Sequence, residues 1–218
     1  MSLAQLARIA AASLIAAAGA AFAQMPFQVI NPPQPADPEK IEVIEFFWYG
    51  CPHCYHLEPV LNTWEKNLQK DVVLKRVPGT LGGWQNLAPM YYTIEAMGLQ
   101  EQLHTKVFEA IHKDRVNLAN VRIRDEWLTK QGVDPKKYAE VEKSFSVMTK
   151  LSRAKQLGDL YKIDSVPKIV VNGKFLVSAE TAGGQERMIP AVDSAIAMAR
   201  RDRTAAAPPA TAPATTKR

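Results

Sequence analysis

The chain has 218 residues, 47% of them hydrophobic and 22% charged, so it is long enough to bury a core without covalent staples. Its formal net charge of +5 lies at the two ends. Residues 200–218 carry five basic side chains against one acidic one and Arg8 adds another, which leaves residues 24–199 neutral. A neutral body without a basic stripe of interleaved aromatic residues argues against nucleic-acid binding.

The first 23 residues predict an export signal. Arg8 precedes an apolar run over residues 9–20, and the segment ends in the small-x-small sequence Ala21-Phe22-Ala23. This run is shorter than the roughly 18 apolar residues that a membrane span requires, so a membrane anchor is the weaker alternative. We therefore expect cleavage after Ala23 and an exported mature chain.

The first part of the mature chain predicts a strand, a helix and a second strand. Residues 24–40 form a proline-rich lead-in that we expect to be extended and loosely held. Residues 41–47 are rich in β-branched and aromatic side chains, which favours a strand. Residues 51–69 show a helical apolar pattern with Pro52 at the first helical position. Residues 72–77 predict the next strand.

The second part predicts a helical block followed by a hairpin and a helix. Residues 85–163 contain helical patterns and breaks that together predict four or five helices. Residues 168–171 and 174–177 predict two strands, and Asn172-Gly173 between them is a strong signal for a tight hairpin turn. Residues 186–199 predict a final amphipathic helix.

This order of elements predicts an α/β fold in which one domain is split by an insertion. The first unit, β-α-β, implies a parallel strand pair with a right-handed crossover, and the last unit, β-β-α, adds an antiparallel hairpin with a covering helix. We place the split domain at residues 41–83 and 155–201, with an all-helical insertion at 84–154. We expect residues 202–218, rich in Ala, Pro and Thr, to form a disordered tail.

The two cysteines of the chain are three residues apart in Cys51-Pro52-His53-Cys54. A disulfide across so short a loop constrains the unfolded chain very little, so a purely structural role explains the pair poorly. On the first turn of a helix, the pair can instead close a reactive disulfide. We expect the more exposed thiol of the pair to be a nucleophile and a leaving group.

Other functions of the cysteine pair are less well supported. Structural zinc needs four ligands, usually from two separated pairs, and the chain has no second pair of this kind. Attachment of c-type haem needs histidine directly after the second cysteine, where Tyr55 stands. A non-catalytic binding module remains an alternative, although it would not need two spaced thiols. We predict no metal and no cofactor.

The residues around Cys51 predict a stabilised thiolate. Cys51 falls at the N-terminus of the predicted helix, where unpaired amide groups and the helix dipole favour an anion, whereas Cys54 should be more buried. The dipole alone supplies about 0.3–1 kcal/mol, and one pKa unit is worth about 1.36 kcal/mol, so a large shift needs other donors. His53 can add a positive charge or a donor, although a solvated loop histidine is the alternative.

The dithiol motif after a strand, with Val166-Pro167 opening a hairpin strand, resembles the thioredoxin superfamily. Within that superfamily, the Pro52-His53 dipeptide, Glu45 and the helical block resemble the DsbA family of thiol:disulfide oxidoreductases. The resemblance implies a thioredoxin fold interrupted by a helical insertion. It also implies that Cys51 is attacked by substrate thiols, that Cys54 departs from it, and that the dipeptide between them tunes the pair.

The resemblance assigns roles to further residues. It implies a cis peptide bond between Val166 and Pro167, which exposes the Val166 backbone so that an extended substrate can pair with it as an added strand. It also implies that Glu45 faces inward near Cys54, pairs with Lys75 on the neighbouring strand, and moves protons to or from Cys54. A solvent-facing Glu45 is the alternative.

The implied activity is oxidation of reduced, cysteine-containing exported proteins in the periplasm. Re-oxidation would then come from a quinone-linked membrane partner resembling DsbB, and we expect a monomer. An isomerase or reductase on the same fold is the alternative. One detail stays open: Trp48, Tyr49 and Met90 either line a peptide groove or are ordinary core or surface residues. We interpret His104 and His112 as histidines that bind no metal.

Overall fold

A mixed β-sheet forms the centre of the molecule. The computed structural model describes residues 25–206, so the predicted export signal and residues 207–218 of the predicted tail lie outside it. Within the described residues, five strands pair in the order β1-β5-β4-β2-β3. Strands β2 and β3 are parallel, and the other pairs are antiparallel. The strands are β1 (Gln28–Val29), β2 (Ile41–Phe47), β3 (Val72–Pro78), β4 (Lys168–Val171) and β5 (Phe175–Ser178).

Helices cover both faces of the sheet. They are α1 (Pro52–Lys66), α2 (Ala88–Ala96), α3 (Gln100–His112), α4 (Val121–Lys130), α5 (Pro135–Glu142), α6 (Phe145–Leu160), α7 (Ala179–Ala182) and α8 (Met188–Ala206), with short 3-10 turns at Gly82–Asn86 and Gln185–Arg187. The predicted α/β fold, β-α-β and β-β-α units around a helical insertion, is confirmed. None of these helices in the described part of the chain has the length and apolar character that a membrane crossing demands.

The helical insertion contains five helices, α2 to α6, in the upper end of the predicted range. The sequence pattern missed the break before α6, where Ser144 caps the helix by accepting the Val147 N–H at 3.4 Å. Helix α6 runs without interruption through position 154, where we placed the end of the insertion. The division into domains at that position therefore coincides with no break in the backbone.

Strand β2 is buried on both faces, because its alternating side chains enter two different cores. Ile44 and Phe46 belong to the core shared with the insertion, whereas Ile41 and Val43 belong to the core beneath α1 and α8. Both cores therefore meet at the strand that leads into the dithiol, which fixes the position where α1 begins.

The hairpin between β4 and β5 has the predicted turn. Asn172 and Gly173 both have positive φ, at 50° and 65°, and the Lys174 N–H donates to the Val171 carbonyl at 3.0 Å. These are the features of a two-residue turn that matches the twist of the strands. A β-carbon at position 173 would overlap the Gln34 carbonyl, so glycine lets the lead-in pass across the turn.

The lead-in and the C-terminus are more ordered than the sequence predicted. Strand β1 in the lead-in pairs with β5, and Phe27 is buried against Phe175. Helix α8 continues to Ala206, so the prediction of disorder was wrong for residues 202–206. The reason is that Arg203 contacts distant parts of the chain, donating to the carbonyls of Asp37 and Lys40 at 2.6 and 2.5 Å.

We predict that Arg203→Ala lowers the free energy of unfolding of the mature chain by about 1–2 kcal/mol, because carbonyl groups of the lead-in lose a charged donor. Urea denaturation provides the measurement. Arg201→Ala is the matched control, since Arg201 lies on the same turn with its side chain exposed. Equal stability losses in the two variants would show that Arg203 does not hold the lead-in.

Candidate active site

The two thiols lie at the start of helix α1, which follows β2 after a short turn. The Cys51 N–H donates to the Trp48 carbonyl at 2.9 Å, Cys51 caps the helix with extended backbone angles, and Pro52 takes the first helical position as predicted. Both thiols are free, and Cys54 is fully buried. Cys51 is only 7% exposed, so it is less accessible than we expected, although it is the more accessible of the two.

The Cys51 sulfur is held between the helix and the loop before β4. Cys51 Sγ accepts the Cys54 N–H at 3.4 Å, and its thiol donates to the Val166 carbonyl at 3.4 Å. The Val166-Pro167 peptide bond is cis, which confirms that prediction. The dithiol and the Val166-Pro167 loop, 115 residues apart in sequence, therefore form one site.

The pKa values of the two thiols are shifted in opposite directions. The pKa of Cys51 is lowered to about 6, chiefly because the Cys54 thiol donates a hydrogen bond to it, with further help from the N–H groups of Cys54 and His53 and from the charge of His53. Burial opposes this shift. Burial raises the pKa of Cys54 far above the ordinary value of a thiol. Cys51 is therefore the thiol that ionises first.

Glu45 is buried as predicted, but its partner is not Lys75. In the parallel register of β2 and β3, Glu45 lies opposite Arg76, whereas Lys75 lies opposite Ile44. Paired residues share a face of the sheet, so Lys75 points to the other face, where it is half exposed and forms an ion pair with Glu42. Arg76 Nε lies 3.5 Å from Glu45 Oε2, and Arg76 is the basic residue that faces Glu45.

Arg76 joins a buried polar cluster that the sequence did not reveal. Its Nη1 lies 2.8 Å from Glu65 Oε2, and its Nε lies 4.0 Å from Glu58 Oε2. Glu58 is 1% exposed and lies 3.1 Å from His104 Nε2. One signal was available: Glu58 stands beside Leu57 and three residues before Leu61, on the apolar face of the helix.

The pKa values of the buried carboxyl groups of Glu45 and Glu58 are shifted in opposite directions. Burial and the negative charge of Glu58 raise the pKa of Glu45 to about 8, against the opposing charge of Arg76. Burial acts in the same direction on Glu58, but the contact with His104 and the charge of Arg76 outweigh it and lower the pKa of Glu58 below its usual value. At neutral pH, Glu45 holds a proton and Glu58 is ionised.

Helix α3 fixes the turn that leads into the dithiol. The Tyr49 hydroxyl lies 2.8 Å from His104 Nδ1, and the Tyr49 carbonyl accepts from His112 Nε2 at 2.8 Å. Tyr49 and Met90 are buried at 1% and 3% exposure, so both belong to the core and neither lines an open groove. His104 and His112 thus hold Tyr49 by both its side chain and its backbone.

A glycine allows this turn to close. A β-carbon at Gly50 would overlap the indole ring of Trp48, which folds over it. The aromatic residues before Cys51 therefore pack tightly without pushing the cysteine out of its capping position. Across residues 25–206, no group of three or more His, Cys, Asp or Glu side chains is arranged to hold a metal ion.

His53 lies at the surface with an exposed side chain, and it contacts Gln185. The Gln185 Nε2 donates to the His53 carbonyl at 2.7 Å, and Gln185 Oε1 lies 3.1 Å from His53 Nδ1. Gln185 belongs to the 3-10 turn after α7, and no local sequence pattern links it to a residue 132 positions earlier.

Comparison with known proteins places these features in a family. Residues 68–188 match the model of the DSBA-like thioredoxin domain. The chain is 44% identical over 179 residues to the thiol:disulfide interchange protein DsbA of Bordetella parapertussis, covering 81% of this chain and 85% of that protein. For DsbA of Azotobacter vinelandii the identity is 43% over 159 residues, which cover 72% of this chain and 74% of that protein. The crystal structure of Pseudomonas aeruginosa DsbA is similar, with a TM-score of 0.77 and 37% sequence identity. The match covers 83% of this chain and 95% of that one.

We predict that Arg76→Met lowers the free energy of unfolding by about 3–5 kcal/mol at neutral pH, because it removes a counter-charge from the buried Glu58 carboxylate. Lys75→Met is the matched control and should cost less than about 1 kcal/mol, since its ion pair is exposed. The difference between the variants should shrink on acidification, as protonation neutralises the carboxylates. Urea denaturation at several pH values tests this. Equal costs for the two substitutions at neutral pH would contradict the assignment of Arg76.

Proposed function

The chain belongs to the DsbA family of thiol:disulfide oxidoreductases, and from this premise we propose that it is an oxidase that donates its Cys51–Cys54 disulfide to reduced, cysteine-containing exported proteins. The observation that carries the proposal is the difference in acidity between the two thiols. A site that stabilises one thiolate of its reduced form favours that reduced form, and so gives its disulfide away.

The reaction follows from the positions of the two sulfurs. A substrate thiolate attacks Cys51 Sγ, a substrate–Cys51 disulfide forms, and the bond to Cys54 breaks with its electron pair on Cys54. A second substrate thiol loses its proton and attacks the substrate sulfur of the mixed disulfide, which expels Cys51 as a thiolate. Two substrate thiols are oxidised to a disulfide and the Cys51–Cys54 disulfide is reduced. Cys51 leaves readily as a thiolate because the pKa of its thiol is lowered.

We assign to Glu45 the delivery of a proton to Cys54. Burial makes a Cys54 thiolate costly, so the departing sulfur must be protonated as the first bond breaks. Glu45 is buried, holds a proton at neutral pH, and interacts electrostatically with Cys54. Arg76 takes the charge-balancing role that the sequence suggested for Lys75, because Arg76 shares the face of Glu45.

We assign the docking of substrate to Val166 and Pro167. The Val166 carbonyl lies within reach of Cys51 Sγ, and Pro167 offers no N–H that would compete for the same site. An extended peptide can then pair its backbone with Val166 while its cysteine meets Cys51.

We assign Pro52 and His53 to the stabilisation of Cys51. Pro52 has no N–H of its own and begins the helix, so the next two N–H groups, those of His53 and Cys54, turn toward the sulfur. His53 adds its charge to that of the helix N-terminus.

Export, location and partners complete the proposal. The signal-like first 23 residues support export to the periplasm, where a disulfide donor has reduced substrates. A reduced enzyme must be re-oxidised, and a quinone-linked membrane protein resembling DsbB would supply the oxidant. We propose that the mature chain acts as a monomer.

Equilibration with glutathione redox buffers tests the direction of the reaction. We predict a reduction potential above about −180 mV, because stabilisation of the Cys51 thiolate favours the reduced form. A potential near about −270 mV, where thioredoxin lies, would exclude the oxidase and favour a reductase. As a control for the site of attack, Cys54→Ser should trap a mixed disulfide at Cys51, and Cys51→Ser should trap none.

A further inference from the structure

The contact between Gln185 and His53 joins the dithiol helix to the loop before α8. One side-chain amide makes two contacts with one residue, to its backbone carbonyl at 2.7 Å and to its ring nitrogen Nδ1 at 3.1 Å. Gln185 is partly buried, whereas the side chain of His53 is exposed. Neither general acid–base transfer nor substrate docking, as proposed above, uses Gln185.

The chemistry of the two contacts fixes the orientation of the amide. A backbone carbonyl can only accept, so the NH₂ group of Gln185 must face the His53 carbonyl. The amide oxygen must then face the ring, and an oxygen can only accept. His53 Nδ1 must therefore carry a hydrogen. The Nε2–H neutral form is excluded, because its Nδ1 lone pair would face a lone pair of the Gln185 amide oxygen.

The backbone before Gln185 holds its side chain in place. Gly183 and Gly184 have φ of 76° and 143°, conformations that favour glycine, and the Gly184 N–H donates to the Ala179 carbonyl at 2.8 Å. A β-carbon at Gly184 would overlap the Glu186 carboxylate. The loop therefore presents Gln185 to His53 from a defined backbone position.

We propose that Gln185 is a positioning residue of the dithiol, which keeps the His53 imidazole protonated at Nδ1 and in a fixed orientation and thereby stabilises the Cys51 thiolate. An acceptor at Nδ1 is compatible with the imidazolium ion and, of the two neutral forms, only with the Nδ1–H form, so Nδ1 carries a hydrogen in either case. Both the backbone N–H and the charge of His53 act on the Cys51 sulfur. The consequence for substrate oxidation rests on the proposed function, whereas the contact itself does not.

The first test detects the protonated ring nitrogen of His53 directly. In the mature protein, ¹⁵N NMR of the neutral imidazole at high pH should show hydrogen on Nδ1. Gln185→Met, which keeps the length of the side chain and removes both hydrogen bonds, should shift neutral His53 to the Nε2–H form. Gln156→Met is the matched control, since Gln156 is an exposed glutamine on α6 whose amide contacts Arg153.

The second test asks whether this contact reaches the thiolate. Thiolate absorbance is titrated in the reduced wild type, in Gln185→Met, and in both forms carrying His53→Ala. Gln185→Met should raise the pKa of Cys51 by about half a unit to one unit, and should add no further rise in the His53→Ala background. The equilibrium constant with glutathione should shift by about threefold to tenfold away from the reduced protein, because the thiolate is less stabilised.

Three results would overturn the proposal. They are an unchanged ring form of His53 in Gln185→Met, a changed ring form without a change in the Cys51 pKa, and an equal rise of that pKa in the His53→Ala background. The reduction potential of the wild type decides the direction of catalysis separately, so the failure of either proposal can be recognised without the other.

Discussion

The site depends on the placement of one sulfur at one helix terminus. Cys51 Sγ stands where the first N–H groups of α1 have no backbone acceptor, so it takes the hydrogen bond that a capping oxygen would take elsewhere. A thiolate accepts these bonds more strongly than a thiol does. The cap is therefore strongest in the reduced protein and weakest in the disulfide, and the fold itself favours reduction.

The rest of the molecule keeps that helix from starting anywhere else. Strand β2 is buried on both faces and ends four residues before Cys51, and the turn between them is held at Tyr49 by two histidines of the insertion. The insertion thus contributes to the site although it supplies neither thiol. His104 also lies against Glu58, and its influence keeps Glu58 ionised while Glu45 holds a proton.

Features that depend on local pattern could be predicted from the sequence. Strands β2 to β5, the hairpin turn at Asn172-Gly173 and the capping position of Cys51 each follow from a few adjacent residues. The partner of Glu45 could not be predicted, because a shift of one residue in the register of β2 and β3 exchanges Arg76 for Lys75. Local pattern also could not place Gln185 beside His53, or extend α8 through Arg203, since those contacts join residues more than 130 positions apart.

The most direct test of the account is the pH dependence of the stability difference between the reduced and oxidised forms. The pKa of Cys51 is lowered in the folded reduced protein, so the stability that its thiolate contributes is fully present above the unfolded value of about 8.5 and is lost as pH falls through about 6. The oxidised protein has no Cys51 thiol, so it lacks this contribution. Urea denaturation from pH 5 to 8 should show the difference moving in favour of the reduced form, by about 1.4 kcal/mol per pH unit above pH 6. A difference that does not change with pH across this range would contradict the claim that the helix terminus stabilises the Cys51 thiolate.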